Sequence, residues 1–356
     1  METILNQTKQ NFIAIGLVNE FDLTHEECEV KKKDDGETIS SERIRGKISV
    51  RIGNNVKVFD VFCTKDTAKG EESKQWKNAL KWLELVPEIN STITYVFGDE
   101  KKETITGDRD NASLVSVSGR VAENRYYNPK TKEAATILRW NATRVSTSRV
   151  SEDDIQGCTL SGTFYIKSMS AEMNGEEETG RLKVTLVGVD YGATPMLIDT
   201  IVDEDLVEAF SDMYEIGQTA SFDIDVVFEH IGAKETSGQK AFGKSGSIKA
   251  TGYDKELLMI TGGDEPIEES DEEDEDGNPI DNGYIDPKTM KAALKEREAL
   301  LAEIKENEGG NKTTKRKPTG TTNLKEKKKL NATKAKKEPD YPDDDESPFD
   351  DEDDDF

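Results

Sequence analysis

The sequence predicts a mainly β chain: two tandem five-stranded barrels, each carrying one helix, followed by a disordered, charged C-terminal tail. Three observations carry this expectation. Strand-like alternation punctuated by turn residues fills the chain up to about Gly263. Within that stretch one order of elements occurs twice. Beyond Gly263 like charges gather into blocks, which repel one another and stay solvated. A chain of 356 residues has room for two or three domains, but a net charge of −26 with 33% hydrophobic residues is too polar for a single packed globule.

In the first domain, residues 1–150, strands are expected near Asn11–Asp22, Glu42–Ile52 and Val56–Cys63. A helix from about Glu71 to Val86 follows, with Trp76, Leu80, Leu83 and Val86 on one face, then strands near Leu114–Tyr127 and Ala134–Ser146. In the second domain, residues 155–263, the strands fall at Cys158–Ser168, Arg181–Tyr191 and Met196–Val202. Asp203 then caps a helix bearing Leu206, Phe210 and Met213 or Tyr214, and strands at Ser221–His230 and Ser247–Ile260 complete the set. Three strands, a helix and two strands, twice over, is the element order of an OB-fold-like barrel.

The tail, residues 264–356, opens with the acidic block Asp264–Asp276. A short helix near 287–308 has Asp286 as N-cap, Pro287 in its first position and Gly309-Gly310 at its end. A lysine-rich stretch, Lys312 to Lys337, leads to a final acidic run, Asp340 to Phe356.

Several function classes are unfavoured. No apolar run approaches the roughly 20 residues that span a bilayer, so no membrane association is expected. The N-terminus, METILNQTKQNF, has neither the basic start nor the apolar stretch of a signal peptide, which places the protein in a cytoplasm, a bacterial host's if it is phage-encoded. Cys28, Cys63 and Cys158 form neither a disulfide framework nor a zinc spacing, and His25 and His230 are the only histidines. No cofactor, metal or catalytic group is expected, and the chain reads as a non-enzyme.

The residues point instead to nucleic acid. In Glu42–Ile52 alternation puts Arg43, Arg45, Lys47, Ser49 and Arg51 on one face, opposite Ile44, Ile48, Val50 and Ile52. That face has no compensating acid of its own, and a positive stripe suits a phosphodiester backbone. A second cluster is the hairpin Val117–Val145, where Arg120, Arg125, Lys130, Lys132 and Arg139 surround Tyr126, Tyr127 and Trp140. Cations that follow a backbone among aromatic faces that stack on bases are what a sequence-tolerant single-strand binder requires. Trp140, between Leu138 and Ala142, is placed equally for core burial and for base contact. Tyr126 and Tyr127 are adjacent, so one of them must face outward.

This hairpin, with Val115-Ser116-Val117-Ser118-Gly119-Arg120-Val121, then Arg125-Tyr126-Tyr127, a polar turn and Ala134–Arg144, resembles the fourth and fifth strands of bacterial single-stranded DNA-binding proteins. The C-terminus resembles them more strongly. Asp340–Glu346, Ser347-Pro348-Phe349, Asp350–Asp355 and a final Phe356 look like the acidic tip of that family, which docks on replication, recombination and repair enzymes. By that resemblance Phe349, Asp353, Asp354, Asp355 and Phe356 contact partner proteins. Phe356 follows Asp355 rather than a proline, and two barrels share one chain; both features look more like bacteriophage versions.

Gly238–Ser245 fits the phosphate-loop pattern G-x-x-x-x-G-K-[ST], but a strand rather than a helix is expected after it. In a barrel the segment falls between the last two strands, where Lys240, Phe242 and Lys244 form a cationic finger with one stacking side chain. The second domain is otherwise less basic, with Asp223, Asp225 and Glu229 along one strand. The sequence thus predicts sequence-independent binding and protection of single-stranded DNA in replication and recombination. An acidic protein-interaction scaffold built on β-barrels is the alternative, and a P-loop NTPase a distant third. Oligomeric state is left open.

Overall fold

The computed structural model describes residues 5–33, 36–147, 150, 156–190, 193–232, 252–270 and 282–309. The chain divides into two compact units, Met1–Glu306 and Asn307–Phe356. The first is mainly β, and ten of its twelve described strands form two closed rings.

The first ring contains β1 (Gln10–Lys31), β2 (Thr38–Ile52), β3 (Asn55–Thr64), β6 (Leu114–Asn128) and β7 (Glu133–Ser146). Its order is β1-β2-β3-β7-β6, and pairing of β6 back to β1 closes it. All contacts are antiparallel except β3–β7, where Asp60 pairs with Asn141 and Val61 with Ala142 in parallel. The second ring contains β8 (Gly157–Asn174), β9 (Glu177–Asp190), β10 (Thr194–Val202), β11 (Thr219–Ile231) and β12 (Tyr253–Gly263). Its order is β8-β9-β10-β12-β11, closed by β11–β8, and its one parallel contact is β10–β12.

β1 is long enough to serve two neighbours on each edge. Its first half pairs with β6, and from Leu17 onward, through a bulge at Val18–Glu20, it pairs with β2. The other edge of the first half pairs antiparallel with β8, from Gln10↔Gly162 to Ile15↔Gly157, and joins the rings. Phe12, Ala14, Cys158 and Leu160 are buried at this seam, so one apolar core runs through both rings. The close approach of β6 and β7 requires Gly119, whose Cβ would stand 2.0 Å from the Asn141 carbonyl oxygen.

α1 (Trp76–Trp82) buries Trp76, Ala79 and Trp82 against the first ring, and the Trp82 indole donates to the Val145 carbonyl at 3.3 Å. The predicted helix was longer and placed Leu80 inward; Leu80 is exposed, because the buried face follows Trp76, Ala79 and Trp82. A hairpin absent from the sequence expectation comes next: β4 (Ser91–Phe97) and β5 (Asp99–Ile105), turning at Gly98 (φ +74°). β4 pairs in parallel with the far half of β1.

α2 (Val207–Met213) follows a 3₁₀ turn at Glu204–Leu206 and buries Phe210; Asp203 makes no side-chain capping bond. α3 (Pro287–Gly309) starts as predicted, with Asp286 Oδ2 accepting from the Thr289 backbone at 2.9 Å. α3 is not isolated. Met290, Ile285 and Leu5 bury Tyr165, Val187 and Val189 on the outside of the second ring.

Candidate nucleic-acid interface

Cross-strand register defines the outer face of the first ring at β1, β2 and β3. Successive rows read Glu26–Arg43–Thr64, Thr24–Arg45–Phe62, Asp22–Lys47–Asp60 and Glu20–Ser49–Val58, with Arg51 opposite Val56 at the end. Ile44, Ile48, Val50, Phe59 and Val61 point the other way into the core. The cationic stripe expected on β2 therefore exists, and its residues share one face.

The expectation that the stripe lacks compensating acid is corrected by its neighbours. Arg43 Nε and Arg45 Nε both donate to Glu26 Oε1, at 2.6 and 2.7 Å. Arg51 Nε donates to Glu88 Oε2 at 2.8 Å. The hydrogen bond from Arg45 holds the Glu26 carboxyl below its ordinary range against the opposing effect of burial, and Glu88 raises the Arg51 guanidinium. A single strand's alternation shows its own charges; the acids come from β1 and from a loop, both distant in sequence. Lys47 is exposed, with no ion pair to an acid among the described residues.

Phe62 is the functional candidate that sequence reasoning missed. It is 58% exposed, beside Arg45 in its row, with Arg43 and Lys47 in the rows either side. β3 carries apolar residues at both parities, Val56, Val58 and Phe62 against Phe59, Val61 and Cys63, so alternation could not tell which phenylalanine faces out. The β1–β2 connection adds Lys31, Lys32 and Lys33, of which Lys32 lies 3.6 Å from Glu37. The run of three lysines was the signal available for it.

The hairpin β6–β7 splits by parity. Arg120, Tyr126, Ile137 and Arg139 are exposed on its outer face, and Lys130 and Lys132 project from its turn. Arg125, Tyr127 and Trp140 have the opposite parity. Trp140 is 5% exposed, edge-on to Phe12 at 5.1 Å and covered by Lys57 Nζ 3.9 Å from its ring centroid. Its predicted base contact is thereby corrected: the ring is buried, with Lys57 over it. Arg125 is likewise engaged, its Nη2 donating to Glu123 Oε2 at 3.0 Å and to the Pro195 carbonyl at 2.8 Å. Tyr127 is half-buried.

β3 meets β7 at Asp60–Asn141 and Val61–Ala142, and Val56 and Val58 on β3 and Ile137 on β7 are exposed. The predicted finger residues Lys240, Phe242 and Lys244, and the tip residues Phe349, Asp353, Asp354, Asp355 and Phe356, lie outside the described residues.

The corresponding rows of the second ring differ. Tyr165, Val187 and Leu197 form one row across β8, β9 and β10, and α3 packs over it. The β8–β9 connection carries Glu176 and Glu177 in place of lysines.

A family model designated YorF matches residues 10–307, which span both rings and nearly all of α3. The chain belongs to the YorF family. No curated protein matches it. Among solved structures, this YorF-family chain is similar to the wild-type single-stranded DNA binding protein from Thermus aquaticus, at 9% identity and TM-score 0.37, covering 74% of this chain and 96% of that one. A deletion mutant of the same protein gives 10% identity and TM-score 0.35, covering 74% and 97%. These scores are too low to transfer a fold or an activity to the YorF-family chain.

Proposed function

We propose that this protein binds single-stranded DNA without sequence preference, through the outer face of the first ring, and that each ring is an OB-fold. The strand order β1-β2-β3-β7-β6, with the third and last strands parallel, supports the OB reading, as does the same order in the second ring. In that architecture the face of the second and third strands and the loops after the first and fourth strands take oligonucleotides. Here those positions hold Arg43, Arg45, Lys47 and Phe62, the Lys31–Lys33 loop, and the Lys130–Lys132 turn.

The observation that carries the reading is Phe62: a large aromatic, exposed, with Arg45 beside it and Arg43 and Lys47 in the rows either side. A stacked base gains about 1–3 kcal/mol whatever its identity, and the arginines and lysines neutralise phosphates with release of counterions. Glu26 and Glu88 keep the arginines ordered in the absence of DNA.

In this reading the protein is not an enzyme, and it serves replication and recombination in a bacterial or phage-infected cytoplasm. The acidic tail segment with Phe349, Asp353–Asp355 and Phe356 would recruit replication proteins, an apolar anchor combined with electrostatic steering. The exposed apolar residues Val56, Val58 and Ile137 favour the second reading, a protein-docking scaffold. Fluorescence anisotropy of labelled oligo(dT) with the full chain, across a salt series, separates them. Salt-sensitive binding that weakens in Phe62→Ala supports DNA binding; no binding at low salt rejects it in favour of the scaffold.

A further inference from the structure

Glu123 is the meeting point of three parts of the fold. It lies on the inner parity of β6, with its side chain almost fully buried. Arg125 of the same strand donates to it, and Arg297 of α3 donates Nε to Oε2 at 3.0 Å and Nη2 to Oε1. Arg297 is itself buried. Arg125 also reaches the Pro195 carbonyl on the second ring. Further along α3, Lys305 Nζ lies 2.7 Å from a Glu133 carboxylate oxygen, at the start of β7.

α3 is therefore seated on one ring and bonded to a hairpin of the other. Its apolar residues Met290, Ala293 and Leu294 rest on Val187, Val189 and Leu197, and its charged residues hold the base and one arm of the β6–β7 hairpin. The hairpin projects beyond the ring, its outer half pairing only within itself from Ala122↔Arg139 to Asn128↔Glu133. A two-stranded projection of this kind is marginally stable alone, so an external support sets where Tyr126, Lys130 and Lys132 stand.

We infer that α3 is a clasp that positions the hairpin for single-stranded DNA, with Arg297 as the positioning residue acting through Glu123. This rests on the DNA-binding reading of the hairpin's outer face. Arg297 touches no surface offered to DNA; its effect is on the pose of the hairpin. The second ring then serves as the platform for α3, and its counterpart of the Arg45–Phe62 face is already covered by its own chain.

The test uses the full chain with Arg297→Met, which keeps the side-chain stem and leaves Glu123 paired with Arg125. Arg297→Lys is the conservative control. Hydrogen exchange of residues 122–139 is read without DNA, and oligo(dT) affinity by anisotropy. The expected result is faster hairpin exchange, unchanged protection of β8–β10, and affinity weakened at least about fivefold, the low end of coupling between linked sites, with partial recovery in Arg297→Lys. Unchanged hairpin exchange overturns the clasp. Faster exchange with unchanged affinity overturns the positioning role. If the wild type itself fails to bind oligo(dT), the DNA reading falls with the positioning role, and faster exchange in Arg297→Met still supports the clasp as a mechanical joint.

Discussion

Lys57 of the first ring donates to Glu256 of the second, Nζ to Oε1 at 2.5 Å, across 199 positions of sequence. The pair is asymmetric: the Lys57 side chain is 4% exposed and that of Glu256 39%. Burial depresses the Lys57 ammonium while Glu256 raises it, and the face of Trp140 supplies a third partner. This is a charge placed on the inner parity of β3, beside Phe59 and Val61. It is tolerated because the second ring brings an acid to it.

Removing the two partners should have unequal effects. Glu256→Ala leaves a buried, uncompensated ammonium and is expected to cost about 3–5 kcal/mol. Lys57→Met leaves a carboxylate that can rehydrate, and should cost less than half as much. Urea unfolding of both variants checks the order; equal losses would show that burial of Lys57 is not what makes the pair matter.

If this face binds DNA, Glu26 competes with phosphate for Arg43 and Arg45. Glu26→Gln should therefore strengthen oligo(dT) binding several-fold at low salt while lowering stability by no more than about 1 kcal/mol, because Arg45 is half exposed. Weaker binding would mean that Glu26 orders the arginines more than it blocks them.

The same carboxyl sets an acid dependence. Glu26 is held below its ordinary value of 4.5 by Arg45, and Glu42 by Lys65 and His25. A depressed folded value means a contribution fully present above the unfolded value of about 4.5 and lost as pH falls through the folded one. Stability should decline below about pH 4.5, and the decline should be shallower in Glu26→Gln. Thermal unfolding across pH 3–6 measures it.

Aromatic substitutions should sort by parity. Phe62→Ala and Tyr126→Ala are expected to weaken oligo(dT) binding by about 1–3 kcal/mol each, with little change in melting temperature. Trp140→Ala should instead destabilise the fold by about 3–5 kcal/mol, because Trp140 packs on Phe12 and under Lys57. A stable Trp140→Ala protein with lost binding would contradict its burial.

Thiol labelling gives an independent check of the seam between the rings. Burial raises the Cys158 thiol to about 12 and also raises Cys63. Cys28, only half-buried, should be the thiol of the native protein that alkylates first, with Cys158 protected until unfolding. Early labelling of Cys158 would mean that the β1–β8 seam opens.

The sequence by itself determined the β class, the repeat of strands and helix, and the start of α3. It also determined which residues of β2 share a face, because alternation and capping are local properties. The run Ser91–Phe97 was legible as a strand, though absent from the expectation, but its partner β5 was not, since the charged run Asp99–Thr104 has no apolar alternation of its own and exists as a strand by pairing with β4. Nor could the sequence decide between Phe59 and Phe62, or the fate of Trp140 and Arg125. Those depend on closure of the rings and on contacts with Glu26, Glu256, Pro195 and Arg297, partners from elsewhere in the chain. Local chemistry proposes which groups can bind a strand of DNA; only the long-range pairing of strands decides which of them are left facing solvent.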